Sequence, residues 1–244
     1  MSDRPEPATI RTEVIVPLRL ADGFDTVARV LTFDGLVDGL EHVAVGLGDR
    51  VTSTDLAAAD AAADPLSTPL VRIHSECLTG DVLGSQRCDC GAQMREALQR
   101  IAEAGGYLLY LRQEGRGIGL YPKLDAYALQ DVGLDTYDAN LALGYRADAR
   151  DYTAAAQMLH ALGVDAVALL SNNPDKAEQL SRLGVAVTQR VPTGIHRNPA
   201  NARYLATKAA RGAHTFEPEP GDEVADGRDG VRPTQVPDDL RLEP

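Results

Sequence analysis

The stretch from Met94 to Gly119, MREALQRIAEAGGYLLYLRQEGRGIG, contains a helix, a strand and a candidate ligand loop in one run. Its apolar residues recur at helical spacing until Gly105-Gly106, and Tyr107–Leu111 then has the continuous apolar character of a buried strand. A helix that leads into a buried strand is the local order of an α/β layer. The glycine- and arginine-rich loop that starts at Arg112 is therefore expected at the carboxyl end of a strand, where open α/β sheets bind ligands.

The rest of the chain continues this mixed pattern. Strands are predicted at 13–18, 26–31, 42–45, 166–170 and 185–191, and helices start at the cap-and-proline pairs Asn173-Pro174 and Asn198-Pro199. We find no internal repeat. The predicted fold class is α/β (mixed α+β), a single domain with a mixed sheet flanked by helices.

Charge and composition limit the classes of partner. The chain has 24 Lys and Arg against 36 Asp and Glu, a net charge of −12, which argues against broad binding to nucleic acid or to an anionic membrane. No window approaches a run of 18 apolar residues, and the start Met1-Ser2-Asp3-Arg4-Pro5 lacks the order of a secretory signal. We therefore expect a cytoplasmic protein with no membrane and no nucleic-acid partner.

Three segments follow from local composition. Residues 1–12 are expected to be a flexible N-terminus, and residues 13–214 to form the folded domain, interrupted by a low-complexity surface loop at 57–69. Residues 215–244 hold nine acidic and three basic residues with five prolines. Such a segment buries too little apolar surface to offset its ordering entropy, so a disordered acidic tail is predicted.

Cys77, Cys88 and Cys90 are all the cysteines of the chain, in a C-x10-C-x-C pattern. An odd number of clustered thiols suits a metal site better than a disulfide framework, and three thiolates suit Zn²⁺ with an open position for water. A chance cluster of three small buried residues is the alternative. His74, three residues upstream, would close the site as a fourth ligand, but a lone histidine is more often a hydrogen-bonding neighbour, so we place it outside the ligand set.

Other polar groups suggest a phosphorylated ligand. The arginines of the loop after Leu111 have the fork geometry for phosphate oxygens, and the helix that begins after Ser171-Asn172-Asn173 offers free N–H groups together with Lys176. Taken singly, each signal also fits a turn or a cap with solvated charge. Together with a three-thiolate metal, they predict a zinc hydrolase acting on a phosphorylated small molecule.

Several motifs occur in a fixed order along the chain. The most specific is RIHSECLTGD from Arg72 to Asp81, followed by RCDCG from Arg87 to Gly91. Supporting motifs are RQEGR at 112–116, AYALQD at 126–131, SNNP at 171–174 and RNP at 197–199. With these motifs the chain resembles, from about Val14 to His214, the GTP cyclohydrolase II family, whose enzymes open the guanine ring of GTP at the first step of riboflavin biosynthesis.

The resemblance implies one catalytic Zn²⁺ per subunit on Cys77, Cys88 and Cys90, with water at the fourth position. It implies that zinc hydroxide attacks C8 of the guanine, that the imidazole ring opens, and that formate leaves after a second hydrolytic step. Mg²⁺ bound to the triphosphate is expected to neutralise charge on the departing pyrophosphate. The resemblance also implies a homodimer.

The resemblance also assigns three catalytic residues. Tyr127 corresponds to the family tyrosine near C8 of the guanine, where it would position or polarise the substrate. Arg150 falls on an arginine proposed to attack the α-phosphorus and displace pyrophosphate, with Asp148 as its proton acceptor. This role is demanding, because a guanidinium with a pKa above about 12 is a poor nucleophile unless a neighbour takes its proton. On the residues alone, Tyr127 also fits a helix core position, and Asp148 with Arg150 a surface ion pair.

A larger set of residues is implied to surround GTP. It comprises Arg72, Ile73, His74, Ser75, Glu76, Gln93, Glu114, Gly115, Arg116, Thr136, Ser171 and Lys176. Gln93 and Glu114 have the donors and acceptors to read the guanine edge, and Arg116 and Lys176 suit phosphate. At position 171 the family often has threonine, so serine keeps the hydroxyl and little effect is expected.

Two alternatives remain open from the sequence. One is a paralogue that releases pyrophosphate and opens the ring but retains the formyl group; the retained Tyr127 favours full deformylation. The other is an inactive nucleotide-binding sensor with a structural zinc, which predicts a fourth protein ligand such as His74.

Overall fold

A mixed seven-stranded sheet forms the centre of the described part of the chain. The computed structural model describes residues 5–51, 68–134, 136–145, 150–202 and 205. The strands are β1 (Thr9–Arg19), β2 (Asp25–Asp34), β3 (Val43–Leu47), β4 (Leu70–Ser75), β5 (Gly106–Leu111), β6 (Ala166–Leu170) and β7 (Ala186–Val191). Their order across the sheet is β1-β2-β3-β5-β4-β6-β7. The first four strands in this order pair antiparallel, and β5, β4, β6 and β7 pair parallel.

Six α-helices connect and flank these strands in the described residues. They are α1 (Leu78–Asp81), α2 (Cys90–Ala104), α3 (Leu120–Asp131), α4 (Thr136–Ala142), α5 (Thr153–Ala161) and α6 (Pro174–Arg182). The helix α6 begins where predicted, because the Asn173 side chain accepts from the Asp175 N–H and Pro174 takes the first helical position. None of these helices is long and apolar enough to cross a membrane within the residues searched.

Apolar side chains fill both faces of the sheet. On one face, Leu70 of β4 and Leu108 of β5 pack with Leu98 and Ile101 of α2. On the other face, β4 and β5 contribute to a larger cluster with residues of α5 and α6. This two-sided burial explains why β5 reads as a continuous apolar run rather than an alternating one, as parallel strands covered on both faces do. A third, smaller cluster joins α3 to α4.

The mixed α/β class and the predicted strands are confirmed, but β4 was not predicted from the sequence, and two differences lie near the ends of the chain. The strand β1 begins at Thr9, inside the segment 1–12 predicted to be flexible, because Thr9 and Ile10 pair with Asp34 and Phe33 and bury Ala8. The predicted final helix begins later than the Asn198-Pro199 pair, because residues 199–201 form a turn and the first described helical residue is Ala202. The tail 215–244 and nearly all of the loop 57–69 lie outside the described residues.

Candidate active site

The three cysteines meet where β4 ends. Cys77 lies two residues after β4, Cys88 lies in the turn before α2, and Cys90 is the first residue of α2. Their sulfur atoms lie within 4.8 Å of one another, and the Sγ atoms of Cys77 and Cys88 are 3.7 Å apart. All three are free thiols, so the cluster is not a disulfide. The chain brings together the metal-ligand set predicted from the C-x10-C-x-C spacing.

Gly80 leaves the space that this cluster needs. A Cβ atom at Gly80 would lie 2.7 Å from Sγ of Cys88 and 3.1 Å from Sγ of Cys77. Gly91 packs against Gly80 in turn, since a Cβ there would clash with the Gly80 carbonyl oxygen. The two glycines therefore form a cradle beside the sulfur atoms, and three soft donors around such a space fit Zn²⁺.

Proton sharing among the thiols follows from their closeness. Hydrogen bonds from Cys88 and Cys90, with the nearby Lys123 ammonium, lower the pKa of Cys77 well below its ordinary value. The hydrogen bond between Cys77 and Cys88 raises the pKa of Cys88 to about 11. These shifts favour one thiolate in the cluster, and a divalent cation bound there would displace the remaining protons. Within the described residues no fourth His, Cys, Asp or Glu joins the cluster.

His74 lies near the thiols but faces a carboxylate. Its Nε2 atom is 3.1 Å from both carboxylate oxygens of Asp81, and Asp81 also accepts from the Cys77 N–H at 2.9 Å and from the Tyr110 hydroxyl at 3.0 Å. Burial lowers the pKa of His74 despite this carboxylate. The ring is thus turned with Nε2 toward Asp81, while its buried Nδ1 has no hydrogen-bond partner among the described residues.

A chain of polar side chains lines the pocket beside β4. Arg72 donates to Gln93 Oε1 at 2.6 Å and to the Leu170 carbonyl at 3.2 Å, and Gln93 donates to Asp89 at 2.6 Å. Burial lowers the pKa of Arg72, and the Asp89 carboxylate opposes this shift. Because Gln93 already uses one donor and one acceptor, it presents its remaining amide groups in a fixed orientation.

The loop after β5, which contributes to the pocket lining, has an unusual backbone conformation. Gly115 and Arg116 both have left-handed dihedral angles, with φ of 60° and 63°. Arg116 is the only described non-glycine residue with positive φ, and such strain is concentrated at functional sites. Glu114 is held from two sides, by the Leu78 N–H at 2.7 Å on one oxygen and the Gly115 N–H at 2.9 Å on the other.

Tyr127 lies on α3 under a guanidinium group. The Arg87 guanidinium carbon is 4.4 Å from the centre of the Tyr127 ring, and Arg87 also binds the two carboxylate oxygens of Asp131 at 3.2 and 2.9 Å. Burial raises the pKa of Tyr127, so its phenol stays protonated. Arg87 thereby fixes the ring against the turn that carries Cys88.

The residues that follow the carboxyl end of β6 complete the lining of the pocket. The Ser171 hydroxyl accepts from the Asn173 N–H at 3.0 Å, and Lys176 of α6 donates to the Ile73 carbonyl at 2.7 Å. Asn172 makes two bonds with one residue: its side-chain amide donates to the Thr193 carbonyl at 2.8 Å and accepts from the Thr193 N–H at 3.1 Å.

Most of the implied site residues line one pocket at the carboxyl ends of β4, β5 and β6. They are Arg72, His74, Ser75, Glu76, Cys77, Cys88, Cys90, Gln93, Glu114, Gly115, Arg116, Tyr127, Arg150, Ser171 and Lys176. Ile73 instead buries its side chain in the larger core cluster and offers its carbonyl to Lys176. Thr136 is the first residue of α4, although its side chain is not described. Asp148 lies outside the described residues.

Several residues in or beside the pocket were not singled out from the sequence. Lys123 and Asp81 contact Cys77 directly, and Asn172 and Thr193 close the pocket beside α6. Lys123 precedes Tyr127 by four residues on α3, a spacing that places both side chains on one helix face. That spacing was the available signal for Lys123. Thr193 has no comparable signal, because its position depends on the long-range contact with Asn172.

The fold and site together define an α/β protein in which three clustered cysteines, able to hold a metal ion, line a pocket together with arginine, lysine and amide side chains. The model of the family described as GTP cyclohydrolase II matches residues 14–192. A GTP cyclohydrolase-2 of Vibrio parahaemolyticus is 50% identical over 190 residues, 78% of this chain and 90% of the relative. Relatives of the same name are 52% identical in Escherichia fergusonii, over 75% of this chain and 86% of the relative, and 44% identical in Psychromonas ingrahamii, over 85% and 96%.

These matches cover the sheet and the pocket. The chain belongs to the GTP cyclohydrolase II family.

Proposed function

We propose that this protein is a zinc-dependent hydrolase that opens the guanine imidazole ring of GTP and releases formate and pyrophosphate, at the entrance to riboflavin biosynthesis. The observation that carries the proposal is the position of the three thiols in the same pocket as arginine, lysine and amide groups. A zinc ion held by three thiolates supplies a Lewis acid with one coordination position for water. The pocket groups hold the nucleotide beside it.

Two kinds of pocket residue are proposed to bind the nucleotide. Gln93 and Glu114 lie near the thiols and have groups that complement the guanine edge; Glu114 has one acceptor position left after its bonds to Leu78, Gly115 and Lys123. Arg116 and Lys176 supply positive charge for the phosphates. The buried Nδ1 of His74 adds a hydrogen-bonding position for the ligand or for water.

Tyr127 is proposed to orient the base. Its ring is fixed by Arg87, and its phenol is protonated, so it donates a hydrogen bond to a purine nitrogen or to the formamide oxygen formed after ring opening. This donor favours the complete reaction over one that stops at the formamide.

Arg150 is proposed to act on the α-phosphorus. A guanidinium nitrogen forms the bond to phosphorus, the bond to the bridging oxygen breaks, and pyrophosphate leaves with its electron pair; Asp148 takes the proton that the nitrogen loses. Arg150 lines the pocket with the other substrate groups. Water then cleaves the nitrogen–phosphorus bond and restores the arginine.

The decisive experiment is incubation of the zinc-replete protein with GTP and Mg²⁺, with formate, pyrophosphate and the pyrimidine product measured together. Equal amounts of formate and pyrophosphate support the complete reaction. Pyrophosphate without formate identifies the formyl-retaining paralogue. The absence of both products overturns the proposal in favour of a nucleotide-binding sensor.

The sensor alternative requires a closed metal site. It predicts His74 as a fourth ligand, but Nε2 of His74 is bonded to Asp81 and the ring is not part of the thiol cluster among the described residues. The open three-ligand set supports a catalytic role over a structural one.

Three further properties belong to the proposal. Mg²⁺ accompanies the triphosphate, the protein acts in the cytoplasm, and the chain works as a homodimer. Large apolar side chains that are exposed in the single chain, such as Val82, Leu83 and Tyr121, support self-association. Sedimentation equilibrium with and without GTP tests the oligomeric state.

A further inference from the structure

Lys123 is a buried lysine that none of the roles above uses. It lies on α3 with only 8% of its surface exposed. Its ammonium nitrogen is 2.8 Å from Oε1 of Glu114, 2.9 Å from Oγ1 of Thr79 and 3.2 Å from Sγ of Cys77. An ammonium group has three N–H donors, so these three acceptors use all of them. Lys123 is therefore not available to bind a substrate phosphate.

The three acceptors come from two separate segments. Cys77 and Thr79 belong to the turn after β4, and Glu114 belongs to the loop after β5. Glu114 links the same segments a second time through its bond to the Leu78 N–H. Lys123 thus joins a metal ligand to the loop that carries Arg116, and it does so from a third element, α3.

Charge gives this position its chemical meaning. Three thiolates and a divalent cation carry a net charge of about −1. The Glu114 carboxylate makes the total charge of this buried space more negative, about −2. The Lys123 ammonium returns it to about −1. An N–H donor on a thiolate also draws electron density from the sulfur and fixes the direction in which the sulfur faces a bound metal. Its loss therefore raises the electron density on the sulfur but leaves the ligand poorly oriented, which weakens metal binding.

We propose that Lys123 is a positioning residue of the metal centre, which acts through Cys77 by donating a hydrogen bond to its sulfur and by holding Glu114 against it. The inference rests on the proposed metal site but not on GTP turnover. An ordinary buried lysine–glutamate pair would need the contact to Glu114 alone; the sulfur contact distinguishes the two roles.

The test compares Lys123→Met, Lys123→Arg and Lys176→Met in zinc and cobalt binding. Chelator competition gives the zinc dissociation constant, and the thiolate-to-cobalt charge-transfer band reports the electron density on sulfur. For Lys123→Met we expect the dissociation constant to rise about tenfold, as for other partners of metal ligands, and the band to move to lower energy. Lys123→Arg keeps a charged donor and should restore much of both values.

Lys176 provides the matched control. It is also buried and lines the same pocket, and its ammonium group donates to the Ile73 carbonyl at 2.7 Å. Lys176→Met should leave the zinc dissociation constant and the cobalt band near the wild-type values. If Lys123→Met does not yield folded protein, Lys123→Gln, which is neutral and keeps an N–H donor, tests the charge alone and should show the weaker zinc binding.

The inference would be overturned if the folded neutral variants kept the wild-type zinc affinity and an unshifted cobalt band and lost only thermal stability. Lys123 and Glu114 would then be a structural ion pair. The proposed function fails separately: a wild-type protein that binds zinc but does not hydrolyse GTP contradicts the function and leaves the Lys123 comparison intact. A wild-type protein that binds neither metal removes both.

Discussion

Gly80 controls how much space the thiol cluster has. Its missing Cβ would lie 2.7 Å from Sγ of Cys88, which is closer than carbon and sulfur approach without bonding. In Gly80→Ala we expect the sulfur atoms to separate and zinc affinity to fall at least about tenfold, measured by metal content after dialysis. Val82→Ala, at an exposed residue just after α1, is the control and should retain its zinc. Full zinc content in Gly80→Ala would show that the cradle is not needed.

Arg150 carries the prediction about phosphorus chemistry. Arg150→Ala should lower pyrophosphate release by about a thousandfold or more, because it removes the proposed nucleophile. The measurement is pyrophosphate release from GTP at saturating Mg²⁺, with zinc content as the control for an intact metal site. Release at the wild-type rate would eliminate the covalent step and leave direct attack of water on the α-phosphorus.

At the scale of elements, Glu96 of α2 anchors the segment after β7. Its carboxylate accepts from the Gly194 N–H at 2.9 Å, the Thr193 hydroxyl at 3.0 Å and the His196 ring at 2.9 Å, and forms an ion pair with Arg100 at 2.8 Å. Partial burial alone would raise the pKa of Glu96, but these hydrogen bonds together lower it to about 2. The carboxylate therefore holds Thr193, a pocket residue, in place.

The stability that Glu96 contributes depends on pH in a defined direction. Since its folded pKa is below its ordinary value of 4.5, the contribution is complete above pH 4.5 and is lost as pH falls toward 2. Glu96→Gln should lower the free energy of unfolding by about 1 kcal/mol at neutral pH, after allowance for solvent screening, and the difference from wild type should shrink below pH 4.5. Chemical denaturation at several pH values measures this; Glu103→Gln, exposed on the same helix, should show no such trend.

The elements also show what sequence can predict. The strand β6 and the start of α6 are predicted to the residue, because local signals coincide there: an apolar run, an asparagine cap and a proline at the first helical position. The cysteine cluster was predictable for the same reason, since its spacing is local. The role of Asp81 was not, because it depends on His74 and Tyr110, which come from two different strands. The order of strands across the sheet is likewise set by long-range pairing.

For the whole molecule, a metal ion bound to the three cysteines would link the end of a strand to the start of a helix. The ligands join the turn after β4 to the start of α2, so an ion that binds only the folded chain adds to its stability. Removal of the metal by chelation should lower the midpoint of thermal unfolding by about 10 °C, and added zinc should restore it. Differential scanning calorimetry measures the shift, and Cys88→Ser should be insensitive to the chelator. Equal midpoints with and without chelator would contradict a tightly bound ion.

Asn172 has a consequence for the shape of the molecule around the pocket. A side-chain amide carries the same donor and acceptor pair as a peptide unit, so its two bonds to Thr193 act as one additional rung of the ladder between β6 and β7. The chain leaves β6 after Leu170, and α6 begins at Pro174. The side chain of Asn172 thereby holds the chain beyond β7 beside the end of β6, and two of its residues, Thr193 and Ile195, line the pocket.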